Sequence, residues 1–159
     1  MKTCYIIGAG EEFQPFSPRT DDLVIAADGG YRYLKKNDIR PAPIVGDFDS
    51  LGAPPEGIET IRHPVMKNDT DMLLAVKIGF EQGYRHFVLS GGMGGRLEHT
   101  IANLQTLIYI AQNGGNGVLE GEKQKITAIT NSKYFFPGSP RGGISVFADG
   151  TAKGVTETG

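Results

Sequence analysis

HFVLSGGMGGRLEHTIANLQTLIYIAQ, residues 86–112, carries a strand, a turn and a helix in one uninterrupted run. Residues 86–90 are short, apolar and β-prone, and a cluster of four glycines cuts them off. Residues 97–112 then place Ile101, Leu104, Leu107, Ile108 and Ala111 at helical spacing, and Asn113-Gly114-Gly115 stops the helix. Outward from this stretch the same alternation recurs. Strands are predicted at residues 4–8, 23–27, 44–45 (ending at Gly46) and 57–63. Helices are predicted at 29–37, with Tyr33-Leu34 apolar and Lys35-Lys36 solvated, and at 70–82, where Met72, Leu73, Val76 and Phe80 recur and Gly83 is the stop. Strands alternating with helices through residue 115 imply an α/β domain built on a mainly parallel sheet covered on its faces. Residues 116–159 change character. The stretches 117–130 and 132–155 are β-prone pieces cut by Pro137, Pro140 and several glycines, without helical period. They are expected to begin a second, all-β unit, too short to close a core of its own.

With 159 residues the chain suits one domain, or one and part of another. Its net charge of −2 and scattered basic residues recruit neither nucleic acid nor an anionic membrane. No apolar run approaches the roughly 20 residues that span a bilayer, and the first residues lack the pattern of a signal peptide. The single cysteine, Cys4, has no internal disulfide partner, which fits a reducing cytoplasm. It sits in an apolar strand and reads as a small buried hydrophobe rather than a nucleophile.

Four polar clusters stand where strands end or helices begin: Asp28-Gly29-Gly30, then Gly46-Asp47-Phe48-Asp49-Ser50, then Lys67-Asn68-Asp69-Thr70-Asp71, and Gly91-Gly92-Met93-Gly94-Gly95-Arg96. Strand C-termini of a parallel sheet share one edge, so the four are expected to meet in one crevice. Asp47 and Asp49, two apart, project to one side of an extended backbone, with Asp69 and Asp71 joining from a helix start and Asp28 nearby. Carboxylates pressed together repel unless a cation intervenes. Magnesium suits such oxygen ligands, while zinc lacks its His or Cys cluster. Asp69 and Asp71 also read as helix caps. The glycine turn lets backbone N–H groups approach an anion at the start of the following helix, where Arg96 can grip phosphate oxygens. No Lys-Ser or Lys-Thr follows, so it is not a Walker loop. Lys67 is placed to contact a phosphate, to neutralise the aspartates, or to be an ordinary surface lysine. His99, beside Glu98, faces either the crevice or the helix surface, and His63 and His86 read as structural. Gly8-Ala9-Gly10 lacks the third glycine of a dinucleotide fingerprint, and Pro15 and Pro18 preclude a helix after it.

Together these clusters resemble the thiamine pyrophosphokinase family, which shows Asp-Gly-Gly, Gly-Asp-Phe-Asp-Ser, a Lys-Asp-x-Thr-Asp type segment and Gly-Gly-x-Gly-Gly-Arg-x-Asp-His in this order. The matching positions here are 28–30, 46–50, 67–71 and 91–99. The chain departs from the pattern at Glu98, where the family has aspartate, and at Asn68. The resemblance implies a Rossmann-like domain followed by a β-sandwich, a homodimer, and transfer of diphosphate from ATP to thiamine with release of AMP. Because the family's β-sandwich runs further than residue 159, the resemblance also implies either that the chain continues past Gly159 or that this member binds its acceptor in another way. Carried over by motif, Asp47, Asp49 and Asp71 look like magnesium ligands. Asp28, Gly29, Gly30, Gly91, Gly92, Gly94, Gly95 and Arg96 look like nucleotide and phosphate contacts, and either Asp47 or Asp71 takes the proton of the thiamine hydroxyl. Two rivals remain open to the same residues: a magnesium-dependent phosphatase with Asp47 and Asp49 as nucleophile and acid, and a nucleotide- or thiamine-binding sensor without turnover.

Overall fold

The computed structural model describes residues 1–46, 55–62, 69–136 and 142–158. A single seven-stranded sheet organises them, in the order β4-β3-β2-β1-β5-β6-β7. The strands are β1 (Cys4–Ile7), β2 (Leu23–Ala27), β3 (Ile44–Gly46), β4 (Thr60–Arg62), β5 (His86–Ser90), β6 (Asn116–Glu120) and β7 (Lys125–Thr127). All neighbours run parallel except β6 and β7, which are antiparallel. Three helices accompany them: α1 (Gly30–Lys36), α2 (Asp71–Glu81) and α3 (Leu97–Gln112).

Strict alternation along the central strands sorts the core into two layers, because successive side chains leave a strand on opposite faces. Cys4, Ile6, Ile25, Ala27, Val45, Phe87 and Leu89 fill one layer with Met72, Ala75 and Val76 of α2 and Leu107 and Ile110 of α3. Ile7, Val24, Ala26 and Ile44 fill the other with Leu34 of α1, where Phe13 and Phe16 of the β1–β2 connection also pack. Each fully buried Ile, Leu or Phe contributes about 1.5–3 kcal/mol, so this two-sided burial explains why the strands are short, continuous apolar runs. Cys4 is fully buried, and burial pushes its thiol up to about 12. It is a core hydrophobe, as its surroundings in the sequence imply.

Two expectations change. The segment expected to open a separate all-β unit begins with β6, which pairs in parallel with β5 from His86↔Asn116 to Ser90↔Glu120. β7 then folds back on β6, so both strands extend the α/β sheet. The reason is the side-chain pattern of β6: Leu119 is fully buried in the layer under α3, completing the apolar surface beside Leu89. After Thr127 no strand occurs among the described residues. The helical stripe of α3 is also rotated. Its buried positions are Asn103, Thr106, Leu107 and Ile110, whereas Ile101 is 49% exposed and Leu97 71%. Polar residues occupy the buried face because each has a partner: Asn103 Nδ2 donates to the Gly92 carbonyl (2.8 Å) and Thr106 Oγ1 to the Ala102 carbonyl (2.9 Å).

Thr70 caps α2, its side-chain oxygen accepting from the Leu73 N–H at 3.2 Å. Replacing it with alanine leaves that donor to water and is expected to cost about 1 kcal/mol, read as a lowered urea midpoint at unchanged slope.

Candidate functional site

The winding of the sheet reverses between β1 and β5, since β2, β3 and β4 continue to one side of β1 and β5, β6 and β7 to the other. Ligands of doubly wound sheets bind at the C-terminal ends of the strands flanking such a reversal. The two connections that leave this point are zipped together. Gly8 donates to the Ser90 carbonyl (2.8 Å), Gly10 to the Gly91 carbonyl (2.7 Å), and Gly91 to the Glu12 carbonyl (3.0 Å).

This pairing divides the glycine-rich turn into two halves. Gly91 and Gly92 are buried, and a Cβ on Gly91 would stand 2.4 Å from Phe13 and 2.6 Å from the Gly8 carbonyl oxygen. One on Gly92 would meet Leu119 at 2.7 Å and Asn103 at 2.9 Å. These two glycines are small because backbone and side chains pack directly on them. Gly94, Gly95 and Arg96 are exposed and form the open half. Arg96 occupies the N-cap position of α3. Its Nε lies 3.1 Å from Glu98 Oε1, and its guanidinium also contacts the His99 ring. The structure thus gathers Arg96, Glu98 and His99 into one exposed cluster.

On the other side of the reversal two acidic residues, Asp28 and Asp71, come to the end of β3. Asp28 directly follows β2 with a left-handed backbone (φ 48°), a conformation aspartate tolerates better than most residues. Its N–H donates to the Val45 carbonyl at 2.8 Å, which ties it to the end of β3. Asp71 opens α2, where the positive end of the helix favours a carboxylate. The two meet at Gly46: a Cβ there would lie 3.3 Å from the Asp28 Cα and 3.4 Å from Asp71 Oδ2. Asp47 is the next residue in the chain. Asp47, Asp49 and Lys67 lie outside the described residues. Asp69 does not join the pair. It binds Lys77 Nζ at 2.6 Å, because a cation two turns into α2 is within its reach. The hydrogen bond to Asp69 holds the Lys77 ammonium above its usual pKa. Among the described residues, no group of three His, Cys, Asp or Glu side chains is arranged to hold a metal. A divalent ion at this edge would draw on Asp28 or Asp71 together with the acids that follow Gly46.

A cleft of about 560 Å³ opens at Asp28, lined also by Ala9, Gly10, Phe13, Arg32 and Lys36 among others. Gly29 also lines it. Gly30 is buried where α1 passes over the end of β1. Sequence reasoning assigns no role to Phe13, Arg32 or Lys36. The available signal was a pair of cations at i and i+4 directly after Asp28-Gly29-Gly30.

The fold defines a doubly wound α/β protein with Asp28 and Asp71 near the end of β3 at the C-terminal edge of its sheet. The sequence profile of the thiamin pyrophosphokinase catalytic domain matches residues 18–119, more than half of the chain, and the chain belongs to that family. The match begins just before β2 and ends within β6. Thiamin pyrophosphokinase from Geobacillus thermodenitrificans is similar at 28% identity and a TM-score of 0.65, over 75% of this chain and 59% of that chain. The Bacillus subtilis enzyme, at 23% identity and a TM-score of 0.69, covers 79% of this chain and 63% of its own, and supports the fold. Yeast thiamin pyrophosphokinase shares the fold at 17% identity and a TM-score of 0.53, over 75% of this chain and 58% of its own. The chain therefore spans roughly three-fifths of the length of these solved relatives. No curated protein sequence matches it. Among the described residues, no helix is long and apolar enough to cross a membrane.

Proposed function

We infer that the chain carries out the family's reaction, transferring diphosphate from ATP to the hydroxyl of thiamine. The observation that carries this reading is the convergence of Asp28 and Asp71 on Gly46 at the switch-point edge of a chain of this family. Magnesium would be held by Asp71 with Asp47 and Asp49, and when bound it supplies charge neutralisation on the polyphosphate. The protein's own part is positioning and proton transfer. Either Asp47 or Asp71 accepts the hydroxyl proton as the thiamine oxygen bonds to the β-phosphorus. The bond between that phosphorus and the oxygen bridging to the α-phosphorus breaks, and AMP leaves with the oxygen. Arg96, Lys67 and the N–H groups of Gly94 and Gly95 are the donors closest in type to what the transferred group needs. For Arg96 this requires leaving Glu98, which costs little because exposed ion pairs are worth about 0–1 kcal/mol.

In the same reading thiamine draws on chain beyond β7, where Phe135 and Phe147 are 80% and 89% exposed and offer apolar surface to be covered. The homodimer and the cytoplasmic setting belong to this reading too.

Incubation with ATP, magnesium and thiamine is expected to yield equal amounts of thiamine diphosphate and AMP, and neither without magnesium. Inorganic phosphate with a covalent aspartyl-phosphate would instead make the chain a phosphatase. Thiamine or ATP binding without either product would make it a sensor.

A further inference from the structure

Met93 stands between the glycines of the turn and is only 3% exposed, although Gly94, Gly95 and Arg96 directly after it are open to solvent. Its socket has two walls from distant parts of the chain. On one side runs the β1–β2 connection, where the Glu11 and Glu12 N–H groups donate to the Met93 carbonyl at 3.2 and 3.4 Å. On the other stands the turn between β6 and β7, where Gln124 Nε2 approaches Met93 Sδ at 3.7 Å. Gly121 in that turn is buried. A Cβ on it would stand 2.6 Å from Met93 Cε and collide with the Glu12 carboxylate. The end of the methionine therefore fills the seam between the two walls, and the seam has no spare room.

One side chain fastens the walls to each other. Gln14 Nε2 donates to the Gly121 carbonyl at 2.8 Å and to the Glu122 carbonyl at 2.9 Å, using both hydrogens of its amide. Among the described residues these are the hydrogen bonds that join the two walls directly. The connection itself is held elsewhere without Gln14's amide: Phe13 stacks on Tyr33 of α1 with centroids 4.0 Å apart, and the Gly10 N–H donates to the Gly91 carbonyl. Gln14 thus joins the first connection of the fold to its β6–β7 hairpin at the residue that precedes the open half of the glycine turn.

We propose that Gln14 is a positioning residue for the diphosphate transfer: it holds the β6–β7 turn against the β1–β2 connection, keeps Met93 seated, and so fixes where Gly94, Gly95 and Arg96 present their donors. The proposal rests on the reading that this half of the turn contacts the transferred phosphates. Donors of that kind act only when they already stand where charge develops. A run of glycines cannot hold such a shape by itself, because glycine has the widest backbone freedom. Met93 is the single side chain between Gly91 and Gly95, so its seat is the handle by which the fold can steer the turn.

The test uses Gln14→Met, which keeps the length of the side chain and removes both donors, and Gln14→Lys, which keeps a donor. Should Gln14→Met fold poorly, Gln14→Asn, one methylene shorter, serves in its place. By hydrogen exchange resolved to single amides, Glu11, Glu12 and Gly121 are expected to exchange about tenfold faster in Gln14→Met, with a smaller rise in β1 and β2, which report on global stability. Well below the unfolding midpoint, kcat at saturating MgATP and thiamine should fall about tenfold, with the KM for thiamine unchanged, and recover in Gln14→Lys. A folded Gln14→Met variant whose exchange rises uniformly or not at all overturns the proposal, as does local loosening with wild-type kcat. Binding of magnesium pyrophosphate separates this proposal from the reaction. If the chain makes no thiamine diphosphate, a several-fold weaker pyrophosphate affinity in Gln14→Met, restored in Gln14→Lys, keeps the positioning role and removes the reaction. Pyrophosphate affinity that is equal in wild type and Gln14→Met, or absent from both, removes the positioning role.

Discussion

Gly30→Ala is expected to lower stability by about 3 kcal/mol or more, at the upper end of what overpacking costs, and to leave much of the chain unfolded on expression. A Cβ at this position would fall 1.8 Å from the Ile7 carbonyl oxygen, 2.5 Å from its carbon and 2.9 Å from the Gly8 carbonyl oxygen. All three are backbone atoms at the end of β1, the central strand, which hydrogen-bonds to β2 on one side and β5 on the other. No rotamer change relieves such a clash. Either α1 lifts away from the sheet, exposing Leu34 and its layer, or β1 loses its pairing at Ile7. Against a typical total of about 5–15 kcal/mol, either loss is a large fraction of the fold. Gly95→Ala is the matched control. Its Cβ would meet nothing closer than the Gly10 Cα at 4.0 Å, so its urea midpoint should stay close to wild type. Equal midpoints for the two variants would mean that α1 does not pass over β1 as closely as described. The position also separates two readings of Asp28-Gly29-Gly30. Gly30 is small for packing, and Gly29 is the member that lines the cleft.

Much of the fold is legible because apolar runs and glycine punctuation are local signals. β2, β5 and α3 fall at the residues where the pattern changes, Leu23–Ala27, His86–Ser90 and Leu97–Gln112. What stays hidden is set by partners distant in sequence. Among the described residues β6 is followed by no helix, so its neighbourhood has an all-β texture, and its pairing with β5, Val88 opposite Val118 among others, assigns it to the parallel sheet. The rotation of α3 hides behind Asn103 and Thr106, polar residues whose burial depends on hydrogen bonds that hydrophobic period cannot register. The site divides in the same way. Asp28 and Asp71 are legible because strand ends and helix starts of a parallel sheet share an edge. The packing role of Gly91 and Gly92 is invisible until Phe13, Asn103 and Leu119 arrive against them. Arg32 and Lys36 look solvated on a short helix, and they gain a shared cleft only when the β1–β2 connection folds beside α1.

Asp71→Asn is expected to reduce kcat on the order of a thousandfold while changing stability by about 1 kcal/mol at most. The substitution keeps size and shape, turns one acceptor oxygen into an N–H donor and removes one charge. Its structural cost is bounded because the charge interacts with the first turn of α2, an effect worth about 0.3–1 kcal/mol, and Thr70 still caps the helix. Its chemical cost is larger, because the lost charge stands 3.4 Å from a Cβ position on Gly46, beside Asp28 and directly before Asp47. If Asp71 helps hold magnesium, the variant should also need several-fold more magnesium for half-maximal rate. If it serves only as base for the thiamine hydroxyl, the magnesium requirement should stay fixed while kcat falls. Asp69→Asn supplies the contrast within the same segment. It breaks the 2.6 Å pair with Lys77, whose partners are both partly exposed, and so should cost only a few tenths of a kcal/mol with kcat unchanged. A folded Asp71→Asn variant with wild-type turnover would remove Asp71 from both roles and leave the proton and the metal to Asp47 and Asp49.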